Sequence, residues 1–371
     1  MNALTTAGSP ARVLSGRGRP KTLTLPRPLT SRPLVSVVVP CYNYGHYLPQ
    51  AVGSILCQQD VDLEVIIVDD HSTDGSELVA AELAARHPSV RLIRNEANKR
   101  HIATYNVGLA ETTGDYVVLL SADDMLAEGS LGRATALMER HPSVGLVYGY
   151  CPEFTETPEP AAPGRTWTVW GGNEWLGSVA RRGDNVIINP EVVMRGSVMR
   201  ELVGYDPGFP HAADLLLWLQ AATIADIGRV NGVQAHYRTH ASQMHVTDYA
   251  GTLTDMRERT KLYRAFFTDG RGARVPHAEQ MLDNALRATA KEAVWCALLA
   301  TMGDQQVGGS EGEAFAEFAE SNYPAVTRTV LWRELAHRRH RERSSVPDAV
   351  VRHAYSLKWA VKWRVWRQWG L

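Results

Sequence analysis

Two adjacent aspartates, Asp123 and Asp124, follow the apolar run YVVLL. Neighbouring carboxylates repel each other unless a cation lies between or near them. Oxygen ligands of this kind suit Mg²⁺ or Mn²⁺, which keep several waters and bridge to phosphate oxygens. The pair therefore predicts a divalent metal beside a diphosphate, although aspartates in solvated turns are also common.

A second pair, Asp69 and Asp70, ends the apolar run EVIIV. A carboxylate at the end of a buried strand needs hydrogen-bond donors, because leaving it unpaired is costly. In one interpretation, Ser72 or Asp74 caps the next helix and one aspartate holds the loop. In the other, which we favour, Asp70 accepts hydrogen bonds from a ribose hydroxyl or a base N–H.

The elements that position these aspartates alternate from Leu34 onward. Short β-branched runs are separated by helical segments, which predicts an α/β fold with a parallel sheet covered by helices. The runs VSVVV, EVIIV and YVVLL are apolar throughout, as expected of strands buried on both faces. In such a sheet the ligand crevice lies beyond the carboxyl ends of the strands. Those ends carry the polar segments PCYN, DDHSTD and SADD.

The pattern divides the chain into three regions. Residues 1–33 are basic and rich in Gly, Pro, Ser and Thr, which predicts a disordered tail. Residues 34–248 carry the α/β pattern. Residues 249–371 show helical periodicity only, which predicts a helical C-terminal region.

Charge and cysteine content exclude several classes of protein. The formal net charge of −1 gives no whole-chain attraction to nucleic acid. The four cysteines lie far apart and form no CxxC pair, which argues against a zinc site and a disulfide scaffold. No apolar run is long enough to span a membrane. We therefore expect a cytoplasmic protein without a nucleic-acid partner.

Four segments, in this order along the chain, resemble glycosyltransferase family 2, a large inverting family with the GT-A fold. The resemblance extends to about residue 248. It implies a mostly parallel sheet flanked by helices, with a nucleotide-binding half and an acceptor half. The segments are VSVVVPCYNYGHYLPQAVGSIL, IIVDDHSTDGS, NVGLAETTGDYVVLLSADD and GYDPGFPHAADLLLWLQ.

The resemblance implies a site for a nucleotide sugar. Tyr42 matches the position that flanks the base, and Asp70 the carboxylate that recognises the base or ribose. Arg100 falls where some members have a basic residue for the nucleotide. The segment SADD stands where many relatives read DADD, so Ser121 replaces the first aspartate of that motif. The implied nucleotide-sugar-binding residues are Pro40, Tyr42, Asn43, Asp70, Arg100 and Asp123.

The resemblance also implies a metal site and a catalytic base. Asp124 matches an acidic metal ligand, and His240, in YRTHASQMH, matches a histidine that completes the metal shell or meets the diphosphate. The segment HAADLLLW aligns with AEDxDLW, so Asp214 takes the place of the catalytic base while Ala213 replaces the glutamate. Without the resemblance, Asp214 is better explained as a carboxylate that complements the helix dipole.

The resemblance implies inverting transfer of a sugar from a nucleoside diphosphate to a hydroxyl or amine acceptor. The expected cofactor is Mn²⁺ or Mg²⁺, and UDP is the expected nucleotide because the family most often uses it. The diphosphate charge is expected to be offset by the metal, with Arg100 or Arg238. The acceptor class stays open among a polysaccharide, a lipid-linked glycan and a small natural product.

The last helical segment carries an aromatic stripe of Tyr355, Trp359, Trp363 and Trp366. Basic residues are interleaved with the stripe, a composition that suits the headgroup layer of an anionic membrane. The stripe therefore predicts either peripheral contact with the inner membrane face or packing against the catalytic domain.

Three other functions compete with transfer. A noncatalytic nucleotide-sugar or glycan-binding module could keep the fold without the base, and retention of Asp214, Asp123 and Asp124 counts against it. A nucleotidyltransferase needs a Gly-rich basic loop after the first strand, which PCYNYGHY matches poorly. A nicotinamide-dependent oxidoreductase is disfavoured by the lack of GxGxxG in the same turn.

Overall fold

A computed structural model describes residues 22–160, 164, 166–241, 243, 252–302, 311–339 and 346–369. The expected tail up to residue 21 and the expected domain boundary at residue 248 lie outside these ranges. Residues 22–33 were assigned to the tail from the sequence, but Thr22–Thr24 form a strand at the edge of the main sheet.

Twelve strands form two sheets within the described residues. The nine-stranded sheet has the order β1-β9-β11-β7-β10-β5-β2-β3-β4, and a small sheet has the order β6-β12-β8. The strands are β1 (Thr22–Thr24), β2 (Leu34–Cys41), β3 (Asp62–Asp69), β4 (Val90–Arg94), β5 (Tyr116–Leu119), β6 (Met125–Leu126), β7 (Val144–Tyr150), β8 (Glu153–Phe154), β9 (Trp167–Trp170), β10 (Val193–Arg195), β11 (Asp226–Val233) and β12 (Ala235–Arg238).

The large sheet is mixed rather than mostly parallel. Strands β4, β3, β2 and β5 run parallel to one another, as the apolar runs predict. Strand β10 pairs antiparallel with both β5 and β7, β9 pairs antiparallel with β11 and β1, and β11 pairs parallel with β7. The four strands that run parallel to one another therefore carry the predicted crevice, and the other five form a mixed remainder of the sheet.

Helices cover both faces of the sheet and continue into the C-terminal region. The first seven are α1 (Leu48–Leu56), α2 (Ser76–Arg86), α3 (Arg100–Ala110), α4 (Ser130–Arg140), α5 (Gly172–Arg182), α6 (Gly196–Leu202) and α7 (Ala213–Ile224). The remaining five are α8 (Thr252–Thr268), α9 (Ala278–Ala300), α10 (Gly312–Asn322), α11 (Val330–Arg339) and α12 (Asp348–Trp369).

The C-terminal helices share a hydrophobic core with the α/β part. Tyr263 and Phe266 of α8 and Met281 of α9 lie in the same buried cluster as Trp175 of α5 and Leu217 of α7. Burial of large apolar side chains is the main stabilising contribution in such a contact. The helical region is therefore packed against α5 and α7 of the α/β part.

Most of the aromatic stripe of α12 packs against the protein. Trp366 is 6% exposed and its Nε1 donates to the Val186 carbonyl at 3.1 Å. The Tyr355 ring lies 5.7 Å from that of Trp295. Trp363, in contrast, is 52% exposed. In the described residues, no helix is long and apolar enough to cross a membrane.

The packing of α3 on the sheet leads to a testable prediction. A Cβ atom at Gly108 would lie 2.3 Å from Val38 Cγ1 and 2.9 Å from Val68 Cγ2, so α3 approaches β2 and β3 as only a glycine permits. We expect Gly108→Ala to lower the free energy of unfolding by about 1–3 kcal/mol.

The matched control for that variant is Gly53→Ala in α1. No atom lies within 4 Å of a Cβ at Gly53, so alanine should stabilise the helix by up to about 1 kcal/mol. Chemical denaturation of both variants measures the difference. Equal stability of Gly108→Ala and the native protein would show that α3 does not pack this closely.

Candidate functional site

The loop between β2 and α1 is tied to the loop that follows β3. Asn43 Oδ1 accepts a hydrogen bond from Thr73 N at 2.8 Å, and Asn43 N donates to Ser72 Oγ at 3.0 Å. Asn43 has a φ of 59°, in the left-handed region that asparagine tolerates better than most residues. Its side chain therefore shapes the crevice rather than pointing freely into it.

Pro40 and Tyr42 flank this turn on the strand side. Pro40 is the second-last residue of β2 and is partly buried. Tyr42 is 44% exposed, which is unusual for a large ring next to a buried strand. An exposed aromatic face at the carboxyl end of a central strand can stack on a planar ligand.

The two aspartates after β3 point in different directions. Asp70 is 3% exposed, and its Oδ1 accepts hydrogen bonds from Asn95 Nδ2 and Lys99 N, both at 2.8 Å. No described residue donates to Asp70 Oδ2. Asp69 accepts from Ser72 N at 3.3 Å through Oδ2, while its buried Oδ1 has no partner among the described residues.

The structural interpretation of this pair holds for one oxygen of Asp70. Asp70 Oδ1 holds the loop before α3, as the structural interpretation requires, and Oδ2 is left for a further donor. The N-cap of α2 is Gly75, and Asp74, the residue before it, accepts a hydrogen bond from Ser76 N at 2.9 Å through Oδ1.

Arg100 lies at the rim formed by this loop. It is the first residue of α3, has a φ of 65°, and its side chain is exposed. Its backbone N donates to Asn98 Oδ1 at 3.0 Å. The residue before it, Lys99, supplies the N–H that binds Asp70, so the Arg100 side chain starts close to that carboxylate.

Asp123 and Asp124 are both buried beyond the end of β5. Asp124 is 1% exposed and accepts a hydrogen bond from Arg238 N at 2.9 Å through Oδ1. Asp123 Oδ2 lies 3.0 Å from His240 Nε2. Burial and then the neighbouring Asp123 charge raise the pKa of Asp124 well above its usual value. The pair therefore carries a charge that a cation would stabilise.

Arg238 is occupied by the protein itself. Its guanidinium carbon lies 4.5 Å from the centre of the Tyr47 ring and 4.4 Å from that of Phe154. Its nitrogens donate to the Asp123 carbonyl at 2.7 Å and to Gln50 Oε1 at 2.6 Å. These contacts hold the Arg238 side chain within the protein, and its expected role in offsetting diphosphate charge stays a prediction.

Asp214 lies in the first turn of α7 and is partly exposed. Its Oδ2 accepts from Asn185 Nδ2 at 2.9 Å, and its Oδ1 accepts from Leu215 N at 2.7 Å. Desolvation by the surrounding protein raises its pKa to about 6, against the lowering effects of the Leu215 N–H and His211. A carboxylate with such a pKa is largely deprotonated at pH 7 and still basic enough to accept a proton.

Tyr105 of α3 is influenced by both Asp214 and the Asp123–Asp124 pair. Burial raises the pKa of its phenol, and the charges of Asp123, Asp214 and Asp124, in that order, raise it further. Coulomb interactions of this kind fall off with distance, so the Tyr105 side chain lies within range of all three carboxylates. Neither Tyr105 nor Asn185 was predicted from the sequence, since neither belongs to a motif.

The environment of Asp214 extends into the C-terminal helices. His211 Nε2 lies 3.3 Å from Asp255 Oδ1 of α8, and Arg259 donates to Asp255 Oδ2 at 2.8 Å. Arg259 is buried and also pairs with Glu292 of α9 at 3.5 Å. The hydrogen bond between His211 and Asp255 raises the pKa of His211. This favours the imidazolium form of His211 near Asp214.

The acidic residues offer an incomplete shell for a divalent metal. Within the described ranges, no three His, Cys, Asp or Glu side chains converge as metal ligands would. His240 Nε2 faces Asp123 at hydrogen-bond distance, so it acts as that carboxylate's partner in this structure. Asp124 Oδ2 receives no hydrogen bond from a described residue. The donor set fits an ion held by one or two carboxylates and otherwise by water and phosphate oxygens.

The fold is that of the GT-A type transferases of nucleotide sugars. Residues 1–349 of S. aureus TarS, solved in complex with UDP-GlcNAc, align with a TM-score of 0.50 and 18% identity, over 79% of this chain and 91% of that one. The mannosyltransferase PcManGT of Pyrobaculum calidifontis, solved in complex with GDP-Man and Mn²⁺, aligns with a TM-score of 0.50 and 19% identity, over 84% of this chain and 90% of that one.

Sequence comparisons find similarity to glycosyltransferases. Residues 36–188 match Glycosyl transferase family 2. An uncharacterized glycosyltransferase of Haemophilus influenzae is 26% identical over 57% of this chain and 67% of its own length. The putative glycosyltransferase EpsE of Bacillus subtilis is 37% identical over 30% of this chain and 41% of its own. Residues 36–188 are therefore similar to glycosyl transferase family 2, the family that the sequence predicted.

The buried Asp123–Asp124 pair leads to a prediction about stability. The pKa of Asp124 is raised in the folded state, so protonated Asp124 stabilises the fold. This contribution to stability is lost as pH rises through the folded-state pKa. In metal-free buffer at pH 7.5, Asp124→Asn should therefore unfold at a higher temperature than the native protein. We expect a rise of about 2–4 °C, the effect of roughly 1 kcal/mol in a medium-sized domain.

The control is Asp206→Asn, which changes an exposed aspartate of the loop before α7. It should leave the unfolding temperature nearly unchanged. If Asp124→Asn unfolds at a lower temperature than the native protein, the hydrogen bond to Arg238 N outweighs the cost of the buried charge.

Proposed function

We propose that this protein transfers a sugar from a nucleoside-diphosphate donor to a hydroxyl or amine acceptor with inversion of configuration. The observation that carries the proposal is the Asp214 carboxylate, which Asn185 orients and whose pKa is raised to about 6. It lies in electrostatic range of the same tyrosine as Asp123 and Asp124. A base and a diphosphate site in one crevice are the parts that inverting transfer needs.

The donor site is assigned to the carboxyl ends of β2, β3 and β5. Asp70 Oδ2 is the acceptor for a ribose hydroxyl or a base N–H, and the exposed Tyr42 ring flanks the base. Pro40 and Asn43 shape the loop beneath the nucleotide, and Arg100 supplies positive charge at the rim. Relatives of the same fold were solved with UDP-GlcNAc and with GDP-Man, which supports a nucleotide-sugar donor.

A divalent ion, Mn²⁺ or Mg²⁺, is assigned to Asp124, with Asp123 beside it. The ion supplies charge that stabilises the departing diphosphate. His240 is assigned to orient Asp123 through their contact at 3.0 Å. The PcManGT complex with Mn²⁺ supports this assignment.

Asp214 accepts the proton of the acceptor nucleophile as the sugar is attacked from the face opposite the diphosphate. The base must be deprotonated, so activity should rise with pH through about 6 and level off above it. Asn185 holds Oδ2 and so fixes the direction of the carboxylate. No covalent bond between sugar and enzyme forms on this route.

The donor site is tested by thermal unfolding in the presence of UDP, GDP, dTDP or CMP, each with and without Mn²⁺. A ligand that binds only the folded state raises its stability by mass action. We expect a metal-dependent rise with one diphosphate, and Asp124→Asn should lose the metal-dependent part. A native protein that responds to none of the nucleotides would contradict the donor site.

The base is tested with Asp214→Asn, which removes the proton acceptor with little change in shape. With the donor identified above, we expect the transfer rate to fall by about 10²–10⁴-fold while nucleotide binding is retained. Asp206→Asn serves as the matched control and should remain active. Full activity of Asp214→Asn would refute its role, and nucleotide binding without transfer in the native protein would favour a noncatalytic binding module.

We also propose that α12 contacts an anionic lipid surface through a face different from its aromatic stripe. Leu357 is 55% exposed, Val361 53% and Val365 41%, and their spacing of four residues puts them on one face of the helix. Arg364 is exposed beside this face, and Asp348 is the acidic residue of the helix. Apolar side chains next to an arginine complement an anionic headgroup layer.

Vesicle sedimentation tests this contact with full-length protein. We expect pelleting with vesicles that contain phosphatidylserine and not with pure phosphatidylcholine. Leu357→Glu combined with Val361→Glu should abolish pelleting, whereas Val330→Glu, at a 73% exposed valine of α11, should not. Point variants are preferable to truncation because Trp366 belongs to the core. Pelleting of the double variant at the native level would remove this face from consideration.

A further inference from the structure

A groove of about 660 Å³ lies between α8 and α10, outside the nucleotide-sugar site. One wall is formed by Arg257, Thr260, Lys261 and Arg264, which recur on one face of α8. The other wall includes Glu317 and Asn322 of α10. The groove is therefore lined by three cationic side chains and one acidic one.

The three cations are not neutralised by the described protein. Arg264 NH2 donates to the Asn322 carbonyl at 3.1 Å, and Lys261 Nζ donates to the Gly208 carbonyl at 3.3 Å. Both partners are neutral, and no described carboxylate forms an ion pair with Arg257, Lys261 or Arg264. A groove with several unneutralised cations attracts anions.

The floor of the groove contains a hydroxyl without a partner. Thr260 is 4% exposed, and its Oγ1 has no hydrogen-bond partner among the described residues. A buried hydroxyl left unpaired costs free energy.

The groove adjoins the acceptor side of the proposed site. Besides its bond to Gly208, Lys261 Nζ lies 5.1 Å from the centre of the Phe209 ring, in the loop that leads to α7 and Asp214. On the same helix, Asp255 contacts His211, three residues before Asp214. Six residues of helix separate Asp255 from Lys261, a rise of about 9 Å.

We propose that this groove binds an anionic group of the acceptor, either a phosphate or a carboxylate, while the acceptor nucleophile reaches Asp214. The inference rests on the proposed function, and it adds the acceptor's chemical class. Arg257 and Arg264 carry planar guanidinium groups. Each can donate two parallel hydrogen bonds to the oxygens of a phosphate or a carboxylate. Lys261 connects the groove to the loop before the base.

The experiment measures binding of three probes to the full-length protein by calorimetry, without nucleotide or metal. The probes are maltotetraose, maltotetraose with one terminal phosphate, and tetragalacturonate. We expect at least one anionic probe to bind tenfold or more tightly than neutral maltotetraose. Preference for the phosphorylated probe identifies phosphate as the recognised group, and preference for tetragalacturonate identifies carboxylate.

The variant Arg257→Gln combined with Arg264→Gln should weaken that binding about tenfold or more, since charged hydrogen bonds are lost. Lys291→Gln changes an exposed lysine of α9 outside the groove and should bind as the native protein does. Equal affinity of the double variant, or no preference of the native protein for an anionic probe, would overturn the proposal.

The same variants separate this proposal from the proposed function. The double variant should keep the nucleotide-dependent rise in unfolding temperature, because the groove does not contact the donor residues. A double variant that loses anionic-probe binding but keeps the nucleotide response locates the defect in the groove. A native protein that binds anionic probes but no nucleotide would leave the groove supported and refute the donor site.

Discussion

The organisation of the crevice depends on one constraint, the burial of carboxylates at the ends of buried strands. Asp70 and Asp124 are 3% and 1% exposed, and a charged group at such a position must be compensated by donors or a cation. The loop before α3 supplies donors to Asp70 through Asn95 and Lys99. Asp124 receives one backbone N–H and faces a second carboxylate, so its compensation is incomplete without a ligand.

The polar partners of Asp123 and Asp124 come from the end of strand β12 and the residues just after it. Arg238 at its end gives its N–H to Asp124 and its guanidinium to the Asp123 carbonyl, while the ring of His240 faces the Asp123 carboxylate. The rings of Tyr47 and Phe154 both lie against the Arg238 guanidinium. Residues far apart in sequence thus fix the acidic pair.

Sequence patterns could predict the half of the fold that is locally encoded. The apolar runs of β2, β3 and β5 are long enough to indicate buried parallel strands, and the aspartates follow them directly. The edge strand Thr22–Thr24 and the antiparallel strand β10 are three residues each, too short for a periodicity to show. Tyr105, Asn185 and the structural role of Arg238 depend on tertiary contacts, so no local signal could reveal them.

The surroundings of the proposed base are built by the helical region as much as by the α/β part. Asn185, which orients Asp214, lies in a loop held by α12, because Lys362 Nζ lies 2.5 Å from Asp184 and Trp366 binds the Val186 carbonyl. Helix α8 contributes Asp255, which pairs with His211. The family match ends at residue 188, before Asp214 is reached. The C-terminal helices therefore help to set the orientation and the pKa of Asp214. Helix α12 contacts Asp184 and Val186, on either side of the asparagine that binds the proposed base.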